Sequence, residues 1–237
     1  MENTADITSI QVFRDAIIGH LIKGFIHNVN SPLQIISMQL ELMRIEFDKI
    51  QKLCPDDVNI SGTVNSLQDR SNHIEDSLST INSYLRILNQ RKAAEMDDEE
   101  PVILGEVIKN YLKFWNFDLF LKHHVKIEQD IPRSMPIIVI KEAYVYDIVD
   151  GAMGLCLNRL KKAEEKTIKI CLNKEQLNDL ELVFEHSGEP FPPLESEEWT
   201  SEDKILFLPI LKNAVEECGC DLEIGDKNLN VRISASK

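Results

Sequence analysis

The sequence predicts an α+β protein: a long two-helix hairpin that dimerises into a four-helix bundle, followed by an α/β sandwich. Three observations support this class. The first half carries a sustained heptad pattern, the pattern stops in a charged segment near residue 97, and helical and strand patterns alternate afterwards. We therefore expect a helical dimerisation domain over residues 1–97 and a sandwich domain over residues 98–237.

The first helix is indicated by apolar residues that recur at alternating steps of four and three. The nine positions are Ile22, Ile26, Val29, Leu33, Ile36, Leu40, Met43, Phe47 and Ile50. A period of 3.5 residues is typical of a coiled-coil or bundle seam. The capping-box pattern from Thr8 to Gln11 predicts the start of this helix, and the segment around Pro55 predicts its end.

A second heptad pattern runs from Val64 to Leu88, where seven of eight positions are apolar. Two helices of roughly 30 residues would each be about 45 Å long. One hairpin cannot enclose apolar stripes of that length by itself. Two copies can do so as a four-helix bundle, so we expect a homodimer.

The second half alternates helical and strand patterns after the charged segment 92–100. The predicted helices cover 102–121, 143–160 and 203–218, and the predicted strands cover 124–129, 137–140, 167–172, 180–185, 221–224 and 229–233. This mixture indicates a single sheet covered by helices.

The charge balance excludes two classes of partner. The chain has 26 Lys+Arg against 40 Asp+Glu, a formal net charge of −14. Such a surface does not favour nucleic acid or an anionic membrane, both of which attract basic faces. No apolar run reaches the ~20 residues that cross a bilayer, and the N-terminus lacks a signal-peptide pattern. We expect a cytoplasmic protein with neither partner, and we expect no metal site.

His27 is the residue with a chemical argument. In the heptad frame Ile26 takes an a position and Val29 a d position, which places His27 on the solvent side. An exposed imidazole offers a nitrogen that can accept a group and pass it on. Pro32 lies in the same helix, where it costs ~3 kcal/mol and usually bends the chain. An ordinary surface histidine beside a chance kink remains the alternative.

The segment from His27 to Leu33 resembles the H-box of two-component histidine kinases of the HisKA type. That box runs His, acidic, apolar, any, Thr/Asn/Ser, Pro, Leu, and six of its seven positions agree here. The hairpin is similar to the family's dimerisation and histidine-phosphotransfer domain, and residues 102–237 resemble its Bergerat-fold ATP-binding domain. The resemblance implies that His27 is the phospho-acceptor, with Asn28 beside it in place of the acidic residue. Ser31, one turn further, would orient a water or the phosphate.

The ATP-binding boxes depart from the family pattern at three places. The Asn that holds Mg²⁺ corresponds to Gly154, which has no side-chain oxygen to offer a hard cation. The Asp-x-Gly-x-Gly loop begins here at His186 and keeps only Gly188. The last glycine-rich box becomes the run from Ile205 to Leu208, without a glycine. The departures imply lost ATP and Mg²⁺ binding and no bound cofactor, with Mg²⁺ supplied by a receiver partner.

Three functions remain open. The first is a histidine phosphotransferase of a phosphorelay, in which His27 exchanges phosphoryl groups with receiver aspartates of response regulators. The second is a divergent ATP-dependent sensor histidine kinase. The third is a non-enzymatic pseudokinase scaffold or inhibitor. Asn28 can hydrogen-bond but cannot accept a proton at neutral pH, which disfavours ATP-dependent autophosphorylation and permits phosphoryl transfer.

Overall fold

The computed structural model describes residues 3–52, 60–94, 99–175 and 179–234. It begins with two long helices, α1 (Asn3–Lys52) and α2 (Ile60–Ala94). They run antiparallel, because Arg70 of α2 hydrogen-bonds Gln39 while Ser66, one turn earlier, reaches Glu46. The expected helix start at Thr8 is wrong, since α1 begins at Asn3. The expected break near Pro55 lies outside the described residues.

The remaining elements form the C-terminal half. They are β1 (Glu100–Ile103), α3 (Leu104–Trp115), α4 (Leu119–His124), β2 (Lys126–Asp130), β3 (Ile137–Ile140), α5 (Glu142–Leu160), β4 (Thr167–Lys174), β5 (Leu180–His186), a π-helical segment (Asp203–Phe207), α6 (Leu208–Glu217), β6 (Asp221–Ile224) and β7 (Asn228–Ile233). The single helix predicted over 102–121 is therefore wrong. Its first residues form β1, which pairs antiparallel with β3. It is also interrupted before Asp118, whose carboxylate caps α4 by accepting the Leu121 N–H.

The main sheet has five strands in the order β2-β4-β5-β7-β6. Strand β2 pairs parallel with β4, and the other neighbours are antiparallel, so the sheet is mixed. Helices α5 and α6 pack against each other and against the sheet. The core between them includes Ile148 of α5, Phe184 of β5 and Val231 of β7, all buried. The α+β class, with long N-terminal helices and a mixed sheet, is confirmed.

A buried ion network attaches the hairpin to the C-terminal half. Arg14 of α1 donates to Asp147 of α5 at 2.6 Å, and Arg91 of α2 donates to Asp147 at 3.0 Å and to Asp150 at 3.2 Å. Tyr111 of α3 also donates to Asp150. Burial raises the pKa of Asp150 to about 6. Two carboxylates facing two guanidinium groups compensate each other's charge away from water, so each partner depends on the others.

The helices of the described residues include none that is long and apolar enough to cross a membrane.

Candidate functional site

His27 is exposed on α1 and lines a groove between α1 and α2. The groove has a volume of about 400 Å³, and its walls include Ser31, Pro32, His73 and Asp76. Helix α1 continues through Pro32, which is buried. Ser31 lies one helical turn beyond His27, so the hydroxyl and the imidazole share one open surface. The groove thus presents a nucleophilic side chain to any partner that covers it.

Asn28 faces the C-terminal half instead of solvent. Only 5% of its surface is exposed. Its Nδ2 donates to the carbonyl oxygen of Asn116 at 3.1 Å, and the Nζ of Lys122 donates to its Oδ1 at 2.5 Å. Both ends of the amide are therefore held by residues in and just before α4. Lys122 also lines the groove of His27, so the C-terminal half contributes a cation to that groove.

The hairpin meets the C-terminal half one turn before His27, at Gly24. A Cβ atom there would lie 1.5 Å from the carbonyl oxygen of Phe117. Only glycine allows the backbones to approach this closely. The rings of Phe25 and Tyr84 pack edge-on against the Phe117 ring, with centroids 5.1 and 5.3 Å away. These contacts fix the position of Lys122 relative to α1.

His20 lies seven residues before His27 but outside its groove. Its Nε2 is 3.1 Å from Oδ2 of Asp118, and its Nδ1 is 3.6 Å from Oε1 of Glu202. The hydrogen bond with Asp118 raises the pKa of His20. The ring also meets Phe207 edge-on at 6.3 Å. His20 therefore links α1 to two segments of the C-terminal half.

Helices α5 and α6 are in close contact around Gly154, the position that the resemblance aligns with an Mg²⁺-binding Asn. A Cβ atom at Gly154 would lie 2.1 to 2.4 Å from three atoms of the Phe207 ring. A Cβ atom at Gly151 would lie 2.5 Å from the Cβ of Leu211. Phe207 is only 2% exposed. The aromatic ring and the backbone of α6 thus occupy the space directly above this face of α5.

The position aligned with the adenine-binding Asp is also closed. His186 is 5% exposed, and its Nδ1 accepts the Gly188 N–H at 3.2 Å. Its ring meets Phe191 edge-on at 4.4 Å. Burial lowers the pKa of His186 to about 4, so the ring is neutral at neutral pH. A Cβ atom at Gly188 would lie 2.4 Å from the carbonyl oxygen of Arg159, so this loop packs directly on the end of α5.

The residues of the run from Ile205 to Leu208, which the resemblance aligns with the last glycine-rich box, separate into two groups by burial. Phe207 and its neighbours Leu206 and Leu208 are buried, whereas Ile205 is 68% exposed. Ile205 therefore points away from the core in which its three neighbours are buried. Within the described ranges, no group of three or more His, Cys, Asp or Glu side chains is placed to hold a metal ion.

The chain can be compared with family models, with curated proteins and with solved structures. No family model matches the chain, and no curated protein matches it. Among solved structures, the Acinetobacter baumannii histidine kinase AdeS is 15% identical, with 89% of this chain and 98% of that chain covered and a TM-score of 0.46. The histidine kinase domain of the Erythrobacter litoralis blue-light activated kinase is 12% identical. The match covers 83% of this chain and 96% of that chain, with a TM-score of 0.46. A bacterial phosphotransferase is 10% identical, and the match covers 92% of this chain and 95% of that chain with a TM-score of 0.39.

Proposed function

We propose that this protein is a histidine phosphotransferase of a two-component phosphorelay. His27 takes a phosphoryl group from the aspartyl phosphate of one response-regulator receiver and passes it to the Asp of another. One contrast carries the proposal: the imidazole of His27 is open in its groove, whereas Phe207 occupies the face of Gly154. These two observations support an acceptor that a protein partner can reach and argue against a nucleotide beside Gly154.

The transfer needs little from the protein beyond positioning. The lone pair of one His27 ring nitrogen attacks the phosphorus, so that an N–P bond forms as the acyl O–P bond breaks. The electron pair goes to the departing receiver carboxylate, and the other ring nitrogen keeps its hydrogen. Aspartyl phosphate is already a reactive donor, and Mg²⁺ held by the receiver neutralises phosphoryl charge. Ser31 supplies a hydroxyl for a phosphate oxygen or a water on the same groove.

The same groove suggests a role for the C-terminal half. Lys122 of α4 reaches Asn28 and lines the surface that holds His27. A receiver that covers His27 therefore also meets a cation from residues 98–237. We propose that this half serves in part as a docking surface for the receiver, and that it binds no ATP at the positions aligned with the family's ATP-binding boxes.

The heptad stripes support a homodimer. Ile26, Leu33 and Leu40 recur every seven residues on α1 and are 52%, 46% and 54% exposed. Leu78 and Leu85 repeat this on α2 at 47% and 44%. Of the alternate heptad positions of α1, Val29, Ile36, Met43 and Ile50 are half-buried, whereas Ile22 is 41% exposed. The exposed set has the spacing of a bundle seam, which a second copy would cover to make four helices.

The proposal is tested with the full-length chain, the variant His27→Ala and the matched control His123→Ala, an exposed histidine of α4. Each protein is mixed with a radioactively phosphorylated receiver. We expect acid-labile label on the wild type and on His123→Ala, and none on His27→Ala. Circular dichroism of all three confirms equal folding.

A parallel incubation with γ-labelled ATP and Mg²⁺ separates the other two functions. No label is expected from ATP. Label that disappears in His27→Ala would establish the divergent kinase instead. The scaffold function would be established by two results together. The wild type would accept no phosphoryl group from ATP or from any receiver, and the wild type and His27→Ala would bind receivers or kinases equally well.

A further inference from the structure

A second and larger cavity lies between α2 and α3. Its volume is about 800 Å³. It adjoins the groove of His27, because Asn28, Tyr84 and Lys122 line both. Its volume lies within the roughly 300–1,000 Å³ typical of sites for small molecules.

The charge of this cavity is opposite to that of the chain. Its lining includes Arg86, Lys113 and Lys122 and no carboxylate, although the whole chain carries −14. Lys113 contacts the neutral Oδ1 of Asn110 at 3.0 Å, and Lys122 contacts the neutral Oδ1 of Asn28. Among the described residues, none of the three cations has an acidic partner within the 4.0 Å of an ion pair. Three cations that lack an acidic partner among the described residues, placed on one concave surface, attract an anion.

The rest of the lining is suited to a polar anion. Amide and hydroxyl groups predominate, namely Asn82, Ser83, Gln90, Asn110 and Asn116. Tyr84 and Ile87 add apolar surface. A single carboxylate would leave two cations without a counter-charge. A group with several anionic oxygens satisfies all three and also accepts hydrogen bonds from the amides.

We propose that this cavity binds a small ligand that carries two or more phosphates. The phosphates lie among the three cations, and any organic part lies against Tyr84 and the amides. A phosphate that draws the Nζ of Lys122 toward itself competes with the Oδ1 of Asn28. A consequence that rests on the proposed function is that the bound ligand changes the rate of transfer at the neighbouring His27.

Binding is tested by isothermal titration calorimetry on the full-length chain at low salt, without Mg²⁺. The probes are pyrophosphate and ADP, with adenosine as the uncharged control. The variants Arg86→Ala and Lys113→Ala should each weaken binding about tenfold, the loss of one charge-assisted contact. Lys212→Ala, an exposed lysine of α6 outside the cavity, should leave the Kd within about twofold of the wild type.

The outcomes divide cleanly. ADP binding more tightly than pyrophosphate supports the proposal with a nucleotide as the source, and equal binding supports it with the phosphates alone. Three results overturn it: no heat from either probe, adenosine binding as tightly as ADP, or equal weakening by Lys212→Ala. The receiver is absent from this titration. A failure here therefore leaves transfer at His27 untouched, and a failure of transfer leaves the cavity testable.

Discussion

Replacing Gly154 by alanine tests whether the α5–α6 face is closed. At a solvent-exposed helix position this change stabilises the folded protein, because alanine has a helix propensity ~1 kcal/mol more favourable than that of glycine. Here the new Cβ would lie 2.1 Å from the Phe207 ring, whose side chain is 2% exposed and has no room to swing away. Forcing atoms into a packed core costs about 1–3 kcal/mol. Three ring atoms within 2.4 Å place this change at the upper end, so we expect a net loss of about 2 kcal/mol.

The assay is urea unfolding followed by circular dichroism. With a slope of about 2 kcal/mol/M, that loss lowers the midpoint by about 1 M. Gly19→Ala is the matched control, because a Cβ at Gly19 of α1 meets no atom within 4 Å. It should raise the free energy of unfolding by about 0.5–1 kcal/mol. The two glycine variants are thus expected to shift the midpoint in opposite directions.

A double-mutant cycle with Phe207→Ala assigns the effect to the ring. Phe207→Ala alone should cost about 3–5 kcal/mol, as for other buried phenylalanines. In that background the Gly154→Ala change has space, so the two effects should differ from additivity by about 1–3 kcal/mol. A Gly154→Ala variant as stable as Gly19→Ala would contradict the close packing of Phe207 on Gly154. It would also remove the observation that supports the proposed loss of nucleotide binding.

Two further predictions concern charge. Burial holds the pKa of His186 near 4 against a usual 6.5, so its stabilising contribution is full above pH 6.5 and is lost as the pH falls toward 4. Between these pH values His186→Leu should lose less stability than the wild type in thermal melts; an equal loss contradicts this. Arg91→Met leaves the carboxylates of Asp147 and Asp150 short of a cation, and urea unfolding should show a loss of about 3–5 kcal/mol. A loss no larger than that of Arg133→Met, in an exposed loop, would show that the network does not hold the junction.

The sequence determined the features that repeat or lie close together along the chain. The heptads predicted both long helices, because each turn of a helix shows its apolar side chains at a fixed local spacing. The box from His27 to Leu33 singled out the candidate nucleophile, and its role stays a prediction. The helix start at Thr8 was wrong because the capping pattern is a weak signal that the interior of a long helix also contains.

Only the tertiary structure decided which distant residues meet. No local pattern links Asn28 to Lys122, which lies 94 residues later, and β1 became a strand only because β3 pairs with it. The sequence showed that Gly154 lacks a ligand atom, but packing placed the ring of Phe207 against it. Contacts across such separations depend on how whole elements pack. The entropy lost in closing the long loops between the contacting residues is offset by many weak interactions that form together. The sequence therefore identified the phospho-acceptor candidate, and the fold decided what surrounds it.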